Sequence, residues 1–383
     1  MISWTINIVI TLFHTASLVN CIGDSQNTNS LFLYFSMFGP ENREELTAKG
    51  YTVVRGVLSN EECDNCIQQY QTWLQEFPHD FFPPSMHSLI SQFNTGNMEP
   101  TWFVRLKAKS VFAQIWQTSK LLTSIDAIAI GRPPEDGEES FAEPSKSWLH
   151  VDQNASRVGL HAVQGGVYLE EACEDDWTLE ILEGSHCYFE EFFEGRQDAA
   201  RISELNIFYK LTEDDIKFYG GKGCQKIRVS VPKGGIVLWD SRLVHANARP
   251  KKDRKHPGRW RYVVFVSMTP AHWASETDMA KKRYAYNNVV MTTHWSSQGV
   301  KTHGSGLSIS GLPTKIQEIA TTNKAKELAG MVRYDFEDGK SNGPQKPTWK
   351  VSKNAITFTR ANIYTVCFVL CQVLIAIVAY LCN

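Results

Sequence analysis

The residues between Trp148 and Met268 constrain the fold of this chain most strongly, because they form short β-type runs separated by turn residues. Each run is rich in β-branched and aromatic residues, and Gly, Pro or Asp lies between one run and the next. The runs are LHAVQGGVYLEEA, TLEILEGSH, KIRVSVPKGG, IVLWDSRLVH and RWRYVVFVSM. Several short strands with this punctuation predict a β-sandwich or a small barrel.

Helical patterns flank and interrupt this β-rich region. Ser59 followed by Glu62 forms a capping-box signature, which predicts a helix from about Asn60 to Phe77 after the strand-like GYTVVRGV. A second helical stretch, SVFAQIWQTSKLLTS, precedes the strand-like DAIAIGRP, and an acidic helical insertion extends to about Tyr219. The expected fold class is therefore α+β, with a β core and flanking helices.

Composition agrees with a folded globular protein and gives no sign of a nucleic-acid partner. The 383 residues are 43% hydrophobic and 21% charged, and the formal net charge is -2. A chain of this length can form one large domain or two ordinary ones with a sizeable core. A nucleic-acid-binding protein would call for a clustered basic face, so no nucleic acid is expected as a partner.

The two ends of the chain are apolar and suggest attachment to a membrane. Residues 361–382 carry no charge and number 22, whereas about 20 suffice to span the hydrocarbon core. They predict a C-terminal transmembrane anchor. Lys350, Lys353 and Arg360 precede this segment, which favours a cytosolic body. Residues 1–30 are typical of a signal peptide, although no Lys or Arg opens them, and that alternative would make the body lumenal or extracellular.

The expected organisation therefore has four parts. Residues 1–30 form the apolar N-terminal segment, and residues 31–304 form the β-rich domain. Residues 305–360 are Ser-, Gly- and Lys-rich and are expected to be mixed helix and linker. Residues 361–382 form the membrane span.

A metal-binding pattern begins in SWLHVDQN, where His150 and Asp152 are separated by one residue. Residues i and i+2 of a strand point to the same face, so the imidazole and the carboxylate can reach one ion. His245, in GGIVLWDSRLVH, is the candidate third ligand. Two His and one carboxylate form the facial triad of non-haem iron(II) oxygenases, which leaves positions open for a 2-oxo acid and O2. His150 considered alone would more often be a histidine of the core.

Arginines after His245 are candidates for holding the distant carboxylate of 2-oxoglutarate, since a guanidinium donates two charge-assisted hydrogen bonds. Arg259 and Arg261 have the same parity in RWRYVVFVSM, so both are expected to face inward. Arg261 is favoured because it lies closer to the apolar part of the strand. The alternative for either residue is a solvated loop end, which suits Arg249 and Arg254 well.

With these candidate ligands and arginines, the chain resembles the phytanoyl-CoA dioxygenase family of iron(II)- and 2-oxoglutarate-dependent oxygenases. The resemblance covers about Glu45 to Trp295. The resemblance rests on WLHVDQ, LEEACEDDWTLEILEGSH, KGGIVLWDSRLVH and RYVVFVSM. Trp177 and Glu183 stand where the family commonly has Gly and Pro, which puts the local turn in doubt. The resemblance implies a double-stranded β-helix, or jelly roll, flanked by helices.

The resemblance also implies roles for individual residues. His150, Asp152 and His245 would bind iron, and Arg261 would anchor 2-oxoglutarate. Gln153 would contact the cosubstrate or the substrate, and a turn hydrogen bond is the equal alternative for it. The implied reaction hydroxylates a C–H bond while 2-oxoglutarate is decarboxylated to succinate.

The substrate is expected to be a small molecule or a lipid, because a membrane anchor would hold the cavity near a bilayer. His186, in the Gly-Ser-His motif, is expected to be structural. Two other functions remain open. A jelly-roll binding protein without turnover would lack a use for the complete triad and arginine. A zinc hydrolase would suit three protein ligands and a water, but it has no evident need for the arginine.

Overall fold

The computed structural model describes residues 37–78, 81–137, 141, 147–304 and 313–350. All of them belong to one unit that begins at Met37. The predicted signal-like segment, residues 1–30, and the predicted span, residues 361–382, lie outside the described residues.

Eight α-helices occur among the described residues. They are α1 (Pro40–Ala48), α2 (Asn60–Gln75), α3 (Glu99–Trp116), α4 (Phe189–Glu194), α5 (Gln197–Leu205), α6 (Glu213–Gly221), α7 (Glu276–Asn287) and α8 (Asn323–Leu328). The predicted capping box is confirmed at α2, where the Ser59 side chain accepts a hydrogen bond from the backbone N–H of Glu62.

Sixteen strands occur in the same ranges. They are β1 (Tyr51–Val54), β2 (Leu89–Ile90), β3 (Leu121–Thr123), β4 (Ile128–Gly131), β5 (His150–Val151), β6 (Arg157–Val158), β7 (Val163–Tyr168), β8 (Thr178–Leu182), β9 (Tyr209–Lys210), β10 (Lys226–Val229), β11 (Ile236–Asp240), β12 (His245–Ala248), β13 (Arg261–Pro270), β14 (Met291–Thr292), β15 (Thr302–His303) and β16 (Thr348–Trp349).

The strands form two large antiparallel sheets. The larger sheet has seven strands in the order β1-β11-β7-β13-β4-β2, and β3 also pairs with β13. The smaller sheet has five strands in the order β10-β8-β12-β5-β9. The fold is thus mixed, with antiparallel sheets and flanking helices, as the alternation of β-type and helical patterns predicted.

The two sheets share one core because alternate residues of each strand point towards the other sheet. Leu179 and Ile181 of β8 pack with Val237 and Trp239 of β11 and with Val263 of β13. This arrangement places the inward faces of β5, β12, β7 and β13 around a common interior.

Helices α2 and α3 cover the other face of the larger sheet. Val264 and Val266, which alternate with the inward residues of β13, belong to a core that includes buried side chains of both helices. The hydroxyl groups of Tyr70 on α2 and Thr101 on α3 lie 2.8 Å apart and form a buried hydrogen bond. Because both faces of the larger sheet are covered, nearly every residue of β13 is buried.

Residues 313–350, expected as helix and linker, pack on the domain. Helix α8 lies against α3 and β3, and β16 pairs with β6. The guanidinium carbon of Arg157 lies 3.5 Å from the ring centroid of Trp295 and 4.1 Å from that of Trp349. Aromatic stacking on a cation therefore fastens this segment to the body.

The predicted localisation, a single-pass membrane anchor, is corrected. Among the described residues no helix is both long enough and apolar enough to cross a bilayer. The longest of them, α3, carries Glu99, Arg105, Lys107 and Lys109 within its 18 residues. Each such charge is costly in hydrocarbon, which is the physical reason that this helix does not qualify.

Candidate active site

The register of the smaller sheet brings His150, Asp152 and His245 together. His150 of β5 and His245 of β12 are directly paired across the sheet. Nε2 of His150 lies 3.6 Å from Oδ1 of Asp152, and Nε2 of His245 lies 3.4 Å from Oδ2 of the same carboxylate. One ligand atom of each residue lies within 4.8 Å of the others, which is close enough for a single metal ion.

Backbone carbonyls fix the orientation of both imidazoles. Nδ1 of His150 lies 2.9 Å from the carbonyl oxygen of Trp148, and Nδ1 of His245 lies 2.9 Å from that of Leu243. A carbonyl only accepts, so each Nδ1 carries the proton and donates it. The lone pair of each Nε2 is then left for a metal, which is the usual arrangement of a ligating histidine.

The carboxylate of Asp152 is held by Gln164 of β7, whose Nε2 donates to Oδ2 at 2.9 Å. Burial alone would raise the pKa of Asp152, but the neighbouring imidazoles of His294, His245 and His150 lower it well below the usual range. Asp152 is therefore ionised at neutral pH and presents oxygen atoms as ligands.

Burial sets the charge of the imidazoles around the carboxylate. It lowers the pKa of His150 to about 4, with a further contribution from His245. It also lowers the pKa of His294 to about 4. Neutral imidazoles are the form that binds a metal.

The triad opens into a cavity of about 390 Å³. Its lining combines polar side chains with a group of apolar and aromatic ones: Met86, Leu89, Trp148, Leu179, Ile207, Phe208, Trp239, Phe265 and Val266. The ring centroids of Trp148 and Phe208 lie 4.6 and 5.2 Å from that of His150. A cavity of this size, with an apolar and aromatic surface beside convergent polar groups, is typical of a small-molecule site.

Arg261 is buried at the start of β13 and faces the interior. Its NH1 donates to Ser88 Oγ at 3.0 Å, and its NH2 donates to Asn247 Oδ1 at 2.9 Å and to the Tyr168 hydroxyl at 3.2 Å. Its Nε has no hydrogen-bond partner. Within the described ranges, Arg261 forms no ion pair with a carboxylate, although it is buried. Asn247, which it contacts, lines the cavity.

Arg259 lies elsewhere. Its guanidinium donates to Asp176 Oδ2 at 2.9 Å and to Glu171 Oε2 at 3.2 Å. The expectation that Arg259 shares the inward face assumed that it belongs to the strand, but β13 begins at Arg261. Strand parity therefore does not apply to Arg259.

Gln153 is not among the lining residues of the cavity, and its side-chain amide bonds to neighbouring loops. Its Nε2 donates to the carbonyl oxygen of Gly159 at 2.8 Å, and its Oε1 accepts from Ser241 Oγ at 2.8 Å. His186 is buried, and its Nε2 lies 3.0 Å from the carbonyl oxygen of Thr47. This contact agrees with a structural role.

Several residues of the site were not predicted from the sequence. Asn247 follows His245 by two residues, so the same strand parity that groups His150 with Asp152 would have found it. Gln164 and Tyr168 come from β7, and nothing in their local sequence announces contacts with Asp152 or Arg261. Arg254 was expected to be solvated, but its guanidinium is buried and paired with Glu135.

No protein-family profile matches the sequence. Ava biosynthesis cluster protein O of Aspergillus versicolor is 26% identical over 270 residues, which cover 66% of this chain and 84% of that protein. The crystal structure of GlcNAc Inducible Gene 2, GIG2 (DUF1479), from Candida albicans matches with a TM-score of 0.53 and 15% identity, covering 78% of each chain. This likeness shows a shared fold.

EctD from S. alaskensis, solved with 2-oxoglutarate and 5-hydroxyectoine, matches with a TM-score of 0.41 and 14% identity. The match covers 65% of this chain and 80% of that one. Another structure of EctD contains bound Fe. The more specific resemblance to the phytanoyl-CoA dioxygenase family stays a prediction.

Proposed function

We propose that this chain is an Fe(II)- and 2-oxoglutarate-dependent dioxygenase that hydroxylates a small organic substrate. The proposal includes a double-stranded β-helix as the scaffold and His150, Asp152 and His245 as iron ligands. The observation that carries it is the convergence of these three side chains beside a buried arginine that has no carboxylate partner among the described residues.

The donor set fits iron(II). Two neutral imidazoles and one carboxylate on one side of an ion leave the opposite positions free, which is the facial-triad arrangement. The two Nδ1 hydrogen bonds, to the Trp148 and Leu243 carbonyls, hold the rings so that both Nε2 atoms face Asp152. Iron coordinated here would border the apolar cavity.

The surroundings of Arg261 fit the remote carboxylate of 2-oxoglutarate. A buried guanidinium without a counter-charge is costly, whereas a carboxylate that accepts two hydrogen bonds would compensate it. Asn247 and His245 lie on the same face of β12, so the arginine contact and the metal ligand are two residues apart. Tyr168 and Ser88 hold the guanidinium from its other sides.

With O2, iron and 2-oxoglutarate supply the oxidising chemistry, and 2-oxoglutarate leaves as succinate and CO2. The protein orients the substrate against the metal and excludes bulk water. Trp148 and Phe208 pack around His150 and cover that side of the site. Apolar walls also suit a substrate with an apolar body, held by few directed contacts.

Turnover of labelled 2-oxoglutarate tests the proposal. Anaerobically purified protein loaded with Fe(II) is expected to convert 2-oxoglutarate to succinate and CO2 when O2 is admitted, even without the substrate. Asp152→Ala and His245→Ala are expected to reduce the rate at least about a hundredfold, because loss of a direct ligand costs more than loss of its hydrogen-bond partner.

Two results would contradict the proposal. Turnover that survives both ligand substitutions would show that the metal lies elsewhere. Protein that binds Zn(II) but neither consumes nor binds 2-oxoglutarate would favour the zinc hydrolase alternative. Arg201→Ala, on the exposed face of α5, is a control that leaves the site untouched.

A further inference from the structure

The cavity lining contains a second carboxylate besides that of Asp152, the side chain of Asp126. This residue lies between β3 and β4 and lines the same cavity as His150 and Asp152. Its Oδ1 accepts a hydrogen bond from the backbone N–H of Ala127 at 2.8 Å. In the described part of the chain, the carboxylate has no other hydrogen bond and no ion pair.

The backbone that carries Asp126 is fixed from two sides. The N–H of Ile125 donates to Thr292 Oγ1 at 2.9 Å, and the N–H of Thr292 donates to the carbonyl oxygen of Ile125 at 2.8 Å. On the other side, a Cβ added at Gly96 would lie 2.5 Å from the carbonyl oxygen of Asp126. The carboxylate is thus held in place before any ligand binds.

The environment of Asp126 disfavours a lone negative charge. Burial, with a smaller contribution from the charge of Asp152, raises the pKa of its carboxyl to about 7. Arg105 lowers this pKa by less than burial raises it, and its NH2 donates instead to the carbonyl oxygen of Gly96. Asp126 and Asp152 line the same cavity, so their charges repel each other.

Among the described lining residues, formal charges leave Asp126 without a counterpart; Arg105, which lowers its pKa, is not a lining residue. If the proposed function holds, Fe(II) and Arg261 balance Asp152 and the two carboxylates of 2-oxoglutarate. Asp126 is then the remaining charge among the described lining residues. A cationic ligand would compensate it, and the aromatic rings of Trp148, Phe208 and Phe265 in the same lining favour a cation as well.

We propose that Asp126 binds a protonated amine of the substrate, so that the substrate class is small amines with an apolar or aromatic body. Two neighbouring lining residues, Thr293 and His294, have buried polar atoms without hydrogen-bond partners, Oγ1 and Nε2 respectively. These two atoms add unpaired polar groups to the lining that contains Asp126. This inference rests on the proposed function for its charge balance.

Matched pairs of an amine and the corresponding alcohol test the inference. The probes are tryptamine with tryptophol, and phenethylamine with phenethyl alcohol. Calorimetry measures their binding to protein loaded with Fe(II) and 2-oxoglutarate without O2. Wild-type protein is expected to bind at least one amine about tenfold or more tightly than its alcohol, as for a hydrogen bond to a charged group.

Substitution of Asp126 assigns that preference to one residue. Asp126→Asn keeps an acceptor for Ala127 N–H and is expected to bind amine and alcohol equally. Asp198→Asn, whose side chain is 86% exposed on α5, is the matched control and should keep the preference. Alcohols that bind as tightly as amines, wild-type protein that binds neither amine, or a preference retained by Asp126→Asn would overturn the inference.

A second readout separates this inference from the proposed function. Trp148 and Trp239 line the cavity, so their fluorescence reports amine binding in metal-free protein. An Asp126-dependent amine preference in protein that binds no iron would support the amine site and contradict the oxygenase. Iron-dependent 2-oxoglutarate turnover without any amine preference would support the oxygenase and contradict the amine site.

Discussion

Buried charges are arranged in opposite ways at the outer and inner ends of the segment that leads into β13. At the outer end, Arg254 pairs with Glu135 and Asp176, and Arg259 pairs with Asp176. At the inner end, Arg261 contacts Asn247 of the cavity lining, and among the described residues it contacts neutral groups only.

The difference indicates which charges serve the fold and which are left for a ligand. The outer arginines, Arg254 and Arg259, form ion pairs with carboxylates of the protein itself, so they need no charged ligand. Arg261 and Asp126 have no opposite charge in contact among the described residues. Asp126 lines the cavity, and Arg261 contacts Asn247, which lines it too. A ligand that brings a carboxylate to one and a cation to the other would complete both.

The largest expected effect is on stability, at the outer end. Arg254→Ala removes a side chain that is 1% exposed and leaves Asp176 and Glu135 without that partner. The free energy of unfolding is expected to fall by about 3–5 kcal/mol, as for a broken buried ion pair. Denaturant unfolding measures it. Arg333→Ala, in an exposed pair, should change it by less than about 1 kcal/mol. Equal losses of stability in Arg254→Ala and Arg333→Ala would show that the buried pairs stabilise the fold no more than an exposed pair does.

The next effect is on cosubstrate binding, at the inner end. Arg261→Gln is expected to weaken 2-oxoglutarate binding by about 2–3 kcal/mol, because charge-assisted hydrogen bonds to the carboxylate are lost. Calorimetry of iron-loaded protein without O2 measures the affinity. Arg259→Gln is the matched control two residues away and should bind 2-oxoglutarate like wild type. If Arg259→Gln showed the larger loss, the assignment of the two arginines would be reversed.

A smaller effect, on Fe(II) affinity, is expected at Gln164, which holds the proposed ligand Asp152. Gln164→Ala removes the hydrogen bond to Asp152 Oδ2 and is expected to weaken Fe(II) binding about tenfold, within the range for partners of metal ligands. A competition titration with a chromophoric chelator measures this affinity. Gln197→Ala, on the exposed side of α5, is the control. Unchanged iron affinity in Gln164→Ala would show that this hydrogen bond does not tune the site.

The smallest expected effect concerns pH and Asp126. Because the folded-state pKa is raised from 3.8 to about 7, the native carboxyl keeps a proton that the unfolded chain has released. Its contribution to stability is therefore present below about pH 4 and is lost as the pH rises towards 7. Asp126→Asn should lack this pH dependence, so the difference in stability between the two proteins should change over this pH range. Thermal melts of both proteins across this pH range measure it, and identical pH profiles would contradict the unpaired carboxyl.

Strand periodicity explains why part of the site was predictable. The spacing of His150 and Asp152 predicted that both reach one ion, and they do so although β5 ends at Val151. The β-type run around His245 placed that residue on a strand. Periodicity failed for Arg259, since it cannot show where a strand begins. It also failed for Arg254, since a charged loop residue looks solvated until its distant partners, Glu135 and Asp176, are known.

Residues placed by tertiary contacts were beyond local sequence patterns. Asp126 is held by Thr292 and Gly96, which are distant in sequence, and only the fold brings these segments together. Gln153 follows the metal motif directly, yet its side chain bonds to Ser241 and Gly159, so adjacency in sequence did not mean adjacency in the site.

Titration of 2-oxoglutarate into the protein without O2, in the presence and absence of Fe(II), tests the central claim most directly. The account predicts tight binding at one equivalent when Fe(II) is bound, and much weaker binding without iron or in Asp152→Ala. Absence of 2-oxoglutarate binding to iron-loaded protein, or equal affinity with and without iron, would contradict the proposal that the triad and Arg261 form one oxygenase site.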